Sequence, residues 1–364
     1  MSVHRSEHRI GLEGIEEVSI FNPVGRIDVT GWGESELFLD YTVTLPGDPE
    51  SSEILVPQVE TSGKSLVIQP AKGILVKNQK NATTDLEDRE FNFDFEDKDI
   101  GLSGFLKKIF SISGSSVWRL RSGTKVSMNI RVPRGVSIKV KNYNGAIMIS
   151  SMESPVYVRG LNGPISLDSI DGPIDAQTLN GPAMLVKSKS PGVSLRTVNG
   201  PIKCYLEGLS GPVEVKTVNG PVRVMLPQNA KAGLSVKTLF GPIKIGGEFS
   251  SQNRTSRFVK AVLNSAEYPV TVKTTTGPIT VGVTDGSAES DPADNAVAKE
   301  KEFVSRIFGS KPHSGESAMP VTQGNEDSLG ESEDQPGSLH AQIDRMLAAG
   351  KISADEADRL RRAI

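Results

Sequence analysis

Asp168, Asp171 and Asp175 are the residues whose type and spacing come nearest to catalytic chemistry. Hydrolysis of a glycosidic bond uses two carboxyl groups, one as acid and one as base or nucleophile. A carbohydrate-active β-helix enzyme working with surface carboxylates is therefore one reading. Against it, Asp171 precedes Gly172-Pro173 in a place that asparagine fills elsewhere in the chain, so it reads as a turn residue. Asp168 and Asp175 fall at different outward positions of successive segments, flanked by Ser166 and Gln177. Cys204, the single cysteine, has no histidine near it; His4, His8, His313 and His340 all lie outside the repeats. It reads as a small core residue rather than a nucleophile. Carboxylates between Asp85 and Asp99 surround the alternating Phe91, Phe93 and Phe95, but without the spacing of a calcium loop, so a half-exposed hairpin strand is expected. No cofactor and no metal are expected.

The composition narrows the class. The chain has 364 residues, 37% of them hydrophobic and 5% aromatic, with 36 glycines and 22 prolines. That is turn-rich and leaner in apolar residues than the usual globular level of about 45–50%. A formal net charge of −3 gives no nucleic-acid footprint, and no nucleic acid is expected as partner. One cysteine excludes an internal disulfide framework. The opening MSVHRSEHRI has no apolar signal core, and no stretch approaches the roughly 20 apolar residues of a membrane span, so a cytoplasmic location is expected.

Internal repeats decide the fold. Asn-Gly-Pro-Ile or a close variant begins at Asn144, Asn162, Asn180, Asn199 and Asn219, with Asp171, Ser190 and Ser210 variants about midway. Looser copies begin at Phe240 and Thr276. A half-turn of about 9 residues thus alternates within a coil of about 18–20, as in a flattened parallel β-solenoid with two strand faces. Asparagine then glycine turns a corner, and proline starts a strand where a missing N–H costs little. Ile165 and Leu167 then point in, against Ser166 and Asp168. Ile170, Leu179, Val198 and Val218 are expected to turn inward at the next corner. The amides of Asn144, Asn162, Asn180, Asn199 and Asn219 are expected to stack as a structural ladder. Outward residues are mixed, including Lys203, Tyr205, Glu214, Lys216, Arg223, Lys237 and Lys244.

The flanks differ. Residues 1–71 read as a strand-rich cap in which Val18-Ser19-Ile20 and Asn22-Pro23-Val24-Gly25 form a worn repeat. Residues 72–122 are an insertion, residues 123–283 the solenoid, 284–337 a disordered linker and 338–364 a two-helix hairpin. Phe105, Lys107, Lys108 and Phe110 lie on one face of a short basic segment, echoed by Phe303, Arg306 and Phe308. Each pairs with the solenoid as a plug or contacts a partner or a peripheral membrane surface. In the hairpin, Leu339, Ile343, Met346 and Leu347 share one face, Gly350 ends the first helix, and Leu360 belongs to the second. So small a core needs a protein partner or a second copy.

The coils, preceded by Val132-Pro133-Arg134-Gly135-Val136, resemble the bacterial putative-adhesin domain of unknown function over roughly residues 10–283 without the insertion. The closing stretch from Ile343 to Ile364, with Met346-Leu347-Ala348-Ala349-Gly350-Lys351-Ile352-Ser353 and Glu356-Ala357, is similar to the short helical (SHOCT-like) module that often accompanies that domain. The resemblance implies a β-solenoid, bacterial origin and a link to cell-envelope stress, with no catalytic motif to carry over. The expectation is a non-enzymatic adhesin-like binding or scaffold protein whose hairpin oligomerises or docks.

Overall fold

The computed structural model describes residues 1–47, 56–71, 75–77, 118–120 and 123–284. The chain divides into two units, Met1–Glu289 and Ser290–Ile364, and every described residue lies in the first. The insertion residues Phe105, Lys107, Lys108 and Phe110 lie outside the described residues, as do the 284–337 linker beyond Thr284 and the 338–364 hairpin.

The strands run as follows. The N-terminal set is β1 (Ser2–Gly11), β2 (Glu17–Val24), β3 (Ile27–Trp32), β4 (Glu36–Leu45), β5 (Gln58–Ser62), β6 (Ser65–Gln69), β7 (Leu75–Lys77) and β8 (Trp118–Leu120). The repeat body is β9 (Lys125–Pro133), β10 (Ser137–Asn144), β11 (Ile147–Met152), β12 (Val156–Asn162), β13 (Ile165–Ile170), β14 (Ile174–Asn180), β15 (Ala183–Ser188), β16 (Val193–Asn199), β17 (Ile202–Leu206), β18 (Val213–Asn219) and β19 (Val222–Pro227). The last set is β20 (Ala232–Phe240), β21 (Ile243–Ile245), β22 (Ser250–Arg254), β23 (Phe258–Leu263), β24 (Tyr268–Thr276) and β25 (Ile279–Thr284).

Successive half-turns alternate between two sheets. An 11-stranded sheet has the order β1-β4-β9-β3-β11-β13-β15-β17-β19-β25-β21. A 12-stranded sheet has the order β22-β23-β20-β24-β18-β16-β14-β12-β10-β2-β6-β5. From β10 to β19 neighbouring strands pair in parallel, coil on coil, so the described residues form a parallel β-solenoid.

Identical positions stack. Ile165, Ala183, Ile202, Val222 and Ile279 form one inward column of the 11-stranded sheet, and Val156, Ile174, Val193, Val213 and Val270 one of the other. All are buried. A single half-turn leaves half of this apolar surface in water; stacking removes it at roughly 25 cal/mol per Å². Corner glycines make the stacking close. A Cβ on Gly163 would lie 2.1 Å from the Gly145 carbonyl oxygen, and Gly163 has φ +144°.

The second corner uses a different device. Ser151, Ser169 and Lys187 adopt φ of 61°, 57° and 52°, the left-handed region. This kink after the outward Asp168 rotates the next side chain inward, so Met152, Ile170 and Ser188 are buried. At the asparagine corner the outcome differs from the apolar expectation. Thr178, Thr197 and Thr217 are buried; of the apolar residues expected there Val198 is buried, while Leu179 and Val218 are half-buried on the outer side. Each threonine hydroxyl donates to the corner glycine carbonyl of a neighbouring coil: Thr178 to Gly163 at 3.4 Å, Thr197 to Gly181 at 3.2 Å and Thr217 to Gly200 at 3.3 Å. A hydroxyl that satisfies a buried carbonyl outcompetes an apolar side chain there. Asn142 does the same to Gly25 at 2.7 Å.

Both ends depart from chain order. Consecutive β3 and β4 do not pair; β9 enters between them, parallel to β3 and antiparallel to β4. At the other end β24 enters between β18 and β20, and β25 between β19 and β21. Antiparallel strands then finish the stack: β1 on β4, β5 on β6, and β22 on β23 on β20. The edge strand β1 carries Arg5, Glu7 and Arg9, charges that discourage pairing with another sheet. From residues 1–71, β2 and β3 are not cap but a full coil, parallel to β10 and β11.

Candidate binding face

The carboxylates first considered for catalysis are separated by the fold. Asp168 points out from the 11-stranded sheet, where it accepts a 2.9 Å hydrogen bond from Ser169. Asp175 belongs to the 12-stranded sheet and pairs with Arg159 at 2.6 Å. Asp171 sits exposed at the corner between them. The alternating half-turns thus send Asp168 and Asp175 to different sheets. Among the described residues no group of three or more His, Cys, Asp or Glu side chains is placed to hold a metal.

Cys204 points inward between Leu185 and Val224 and is fully buried. Burial pushes its thiol up to about 12. The sign for stability follows. The folded state keeps the proton that the unfolded chain releases near 9, so stability is full below about 9 and falls as pH rises toward 12. We expect native protein at pH 8 to leave Cys204 unlabelled by a thiol reagent for hours, and stoichiometric labelling after denaturation. Rapid labelling of the native protein would show that the column opens there.

The corner asparagines form a continuous chain of amide hydrogen bonds. Asn162 donates to Asn144 at 2.8 Å; Asn180 donates to Asn162, Asn199 to Asn180 and Asn219 to Asn199, each at 2.9 Å. Beyond Asn219 the same position is held by Thr276 and then Phe240; on the other side it is held by Val24. Every amide from Asn162 to Asn199 both donates and accepts, which leaves this line with a structural part to play.

Outward side chains of the 12-stranded sheet are the more informative surface. The residues pooled at the sequence level do not share one face. Lys203, Arg223 and Lys244 stand on the 11-stranded sheet with Tyr205, whereas Glu214, Lys216 and Lys237 stand on the other. On the 12-stranded sheet strict register lines up Lys141, Arg159, Gln177, Arg196, Lys216, Lys273 and Lys237 in one column. Adjacent members are about 4.8 Å apart, the strand spacing. The next column toward the asparagine corner is mostly apolar, with Tyr143, Leu161, Leu179, Val198, Val218, Thr275 and Leu239.

Neutralisation along the basic column is uneven. Arg159 has Asp175, and Arg196 has Glu214 at 2.6 Å. Lys216 also pairs with Glu214. Burial pushes the Glu214 carboxyl up, but hydrogen bonds from Lys216 and Arg196 outweigh it and hold it below its ordinary value. Past Glu214 the neighbouring column continues as Thr271 and Ser235, without a carboxylate. Lys273 and Lys237 are exposed cross-strand neighbours there, and Lys260 follows on β23 opposite Ser235. None of these three has an acidic partner among the described residues. At the other end Lys141 lies against the rings of Phe21 and Tyr143, 5.5 and 4.9 Å from their centroids. Burial pulls its ammonium down to about 7.

Like charges directly opposite each other on a sheet destabilise it. A Lys216–Lys273–Lys237 run in which Lys216 shares Glu214 with Arg196 and the other two have no acidic partner among the described residues is therefore costly, and it offers a linear row of cations to an anion. Alternation in the sequence already put Lys216 and Lys237 outward, without Lys273. Recognising the column required the register, and Lys273 lies 36 residues beyond Lys237 although the two are neighbours.

The 25 strands contain no helix long and apolar enough to cross a membrane among the described residues. The family model described as Toastrack DUF4097 matches residues 175–282, from β14 to β25. No curated protein matches the chain. Among solved structures, a putative cell adhesion protein from Clostridium sporogenes ATCC 15579 is 11% identical, with a TM-score of 0.32, covering 78% of this chain and 100% of its own. A putative adhesin from Bacteroides fragilis NCTC 9343 is 11% identical, with a TM-score of 0.33, covering 78% of this chain and 97% of its own. Residues 175–282, with their stacked parallel strands, are thus similar to a β-rich domain of unknown function, Toastrack DUF4097.

Proposed function

We propose that this protein is a non-enzymatic, adhesin-like binding protein that recognises an extended anionic ligand through the basic column of its 12-stranded sheet. The observation that carries this is the run Lys216, Lys273, Lys237, in register on adjacent strands and short of carboxylates. A solenoid holds the strands that carry the cations at a fixed repeat, so little backbone ordering is left for binding. The separation of Asp168 from Asp175 favours binding over glycoside hydrolysis. In this reading residues 123–283 present the surface, residues 284–337 tether it, and residues 338–364 oligomerise or dock on a protein partner, raising the local concentration of the solenoid. The hairpin role and the link to envelope stress rest on the sequence pattern and the family resemblance alone.

Linear polyphosphate serves as the probe. Binding to the full chain is expected, weakening steeply between 50 and 300 mM salt as phosphate contacts are screened. The double variant K237E/K273E is expected to lose at least tenfold in affinity. It is also expected to unfold no earlier than the wild type, because it turns the like-charge neighbours at 216 and 273 into an opposite pair and leaves one like-charge pair, between 273 and 237, where the wild type has two. No polyphosphate binding by the full chain, or equal binding by the variant, would overturn the proposal.

A further inference from the structure

Among the described residues, large apolar side chains left exposed are few: Met1, Val3, Val56, Leu239 and Phe240. Leu239 and Phe240 are adjacent in sequence and stand 44% and 63% exposed at the end of β20. They lie where the basic column is least neutralised. Lys237 and Leu239 are two residues apart on one strand and so share its outward face. Phe258 stands opposite Lys237 on β23, with Lys260 two residues further on the same face and 5.8 Å from the Phe258 ring. Lys273 stands on the other side of Lys237.

From this coincidence we propose that the β20–β23 end of the 12-stranded sheet docks on an anionic lipid bilayer. Lys237, Lys260 and Lys273 meet headgroup phosphates while Leu239, Phe240 and Phe258 enter the interface. The inference rests on the reading of the basic column as an anion-binding surface and names the source of the anion. Three arguments favour a bilayer over a dissolved polymer. A dissolved polyanion is served by the lysines alone and gives Phe240 nothing to bury against. Lys237, Leu239, Phe258, Lys260 and Lys273 project from one face, and Phe240 stands exposed at the corner beside it, with the Arg257 guanidinium 6.0 Å from its ring centroid, so apolar and cationic groups lie along one edge of the sheet. At the equivalent corner position the coils from β10 to β18 carry asparagine and β24 carries Thr276, and Leu239 and Phe240 appear together only on β20, beyond β24. Attraction of a lysine to an anionic leaflet is worth about fivefold in affinity each. The apolar contribution is not screened by salt.

Co-sedimentation of the full chain with vesicles of phosphatidylcholine alone and of equal parts phosphatidylcholine and phosphatidylglycerol tests this, with polyphosphate binding measured in parallel. The expected result is binding to the anionic vesicles only, persisting in part at 300 mM salt. The variant L239S/F240S is expected to lose about tenfold in vesicle binding and to bind polyphosphate as the wild type does. Its thermal unfolding is expected to be unchanged, since both side chains are exposed. Wild-type polyphosphate binding without vesicle binding overturns the bilayer inference and leaves the anion-binding reading standing. Vesicle binding that L239S/F240S leaves unaltered also overturns it, by moving the contact elsewhere on the chain. Loss of both activities in the wild type removes the anion-binding reading itself.

Discussion

Replacing Gly181 by alanine is expected to destabilise the solenoid by about 3 kcal/mol or more, a large effect for one methyl group. Gly181 has φ +152°, where an L side chain is strained whatever the space around it. Space is lacking too. A Cβ there would lie 2.2 Å from the Gly163 carbonyl oxygen and 2.6 Å from its carbon. Those atoms are backbone, held in the coil ladder: Gly163 N donates to Asn180 O at 2.9 Å, and Gly181 N to Asn199 O at 2.9 Å. Relief therefore means separating two coils, which also pulls apart the Asn162–Asn180 amide bond and the Thr178–Gly163 bond. The control is Gly192→Ala. Gly192 lies at the opposite corner with nothing within 4 Å of its Cβ position and no positive φ. Urea unfolding followed by far-UV circular dichroism compares the two. Gly181→Ala should lower the midpoint strongly and Gly192→Ala by little. Equal midpoints would mean that the corners tolerate a side chain and that glycine is there for another reason.

That contrast bears on how much of the molecule could be read before its structure was known. The parallel solenoid was legible because each coil meets the same steric demand at the same corner, so Asn-Gly-Pro recurs at 162, 180, 199 and 219. The period also assigns alternate half-turns to opposite sheets, which is why Ser166 and Lys216 face different ways. Two things were not legible, for physical reasons. Thr178, Thr197 and Thr217 are polar residues in an interior column, and their burial depends on a carbonyl supplied by another coil. Spatial order at the ends is the second. The Phe240 copy precedes the Thr276 copy in the chain, yet the later copy is the inner coil. Each copy carries the same local signals, so local pattern cannot rank them. The exposed Leu239 and Phe240 and the three-residue β21 are the signs of an outermost coil, visible once burial is known. The basic column inherits this difficulty, since Lys216, Lys273 and Lys237 become neighbours through the late insertion of β24.

The same insertion gives the second large expected effect. Val272 is buried at 0% exposure in the middle of β24, between Val215 of β18 and Val236 of β20. Val272→Asp would place an unpaired carboxylate in an apolar column, at a cost of several kcal/mol. The consequence should be regional, because a stacked array loses stability coil by coil. β20 pairs only with β24 and β23, β21 pairs with β25, and β22 pairs with β23. If β24 leaves, β18 loses a partner and β20, β22 and β23 lose their strand pairing to the body, while β21 keeps its pairing with β25. Hydrogen exchange on Val272→Asp is therefore expected to show fast amides through Ala232–Phe240 and Phe258–Leu263, with β10 to β17 still protected. Val259→Asp, an equally apolar site in β23, is the comparison. It should free β22 and β23 while β20 stays held by β24. Protection of Ala232–Phe240 in Val272→Asp equal to that of the wild type would mean that β20 has a hold on the body other than β24. If that end does detach, Lys237 leaves Lys273's side, and the cation row loses its continuity with its folding unit: the surface proposed to meet an anion exists only when β24 has closed the gap between β18 and β20.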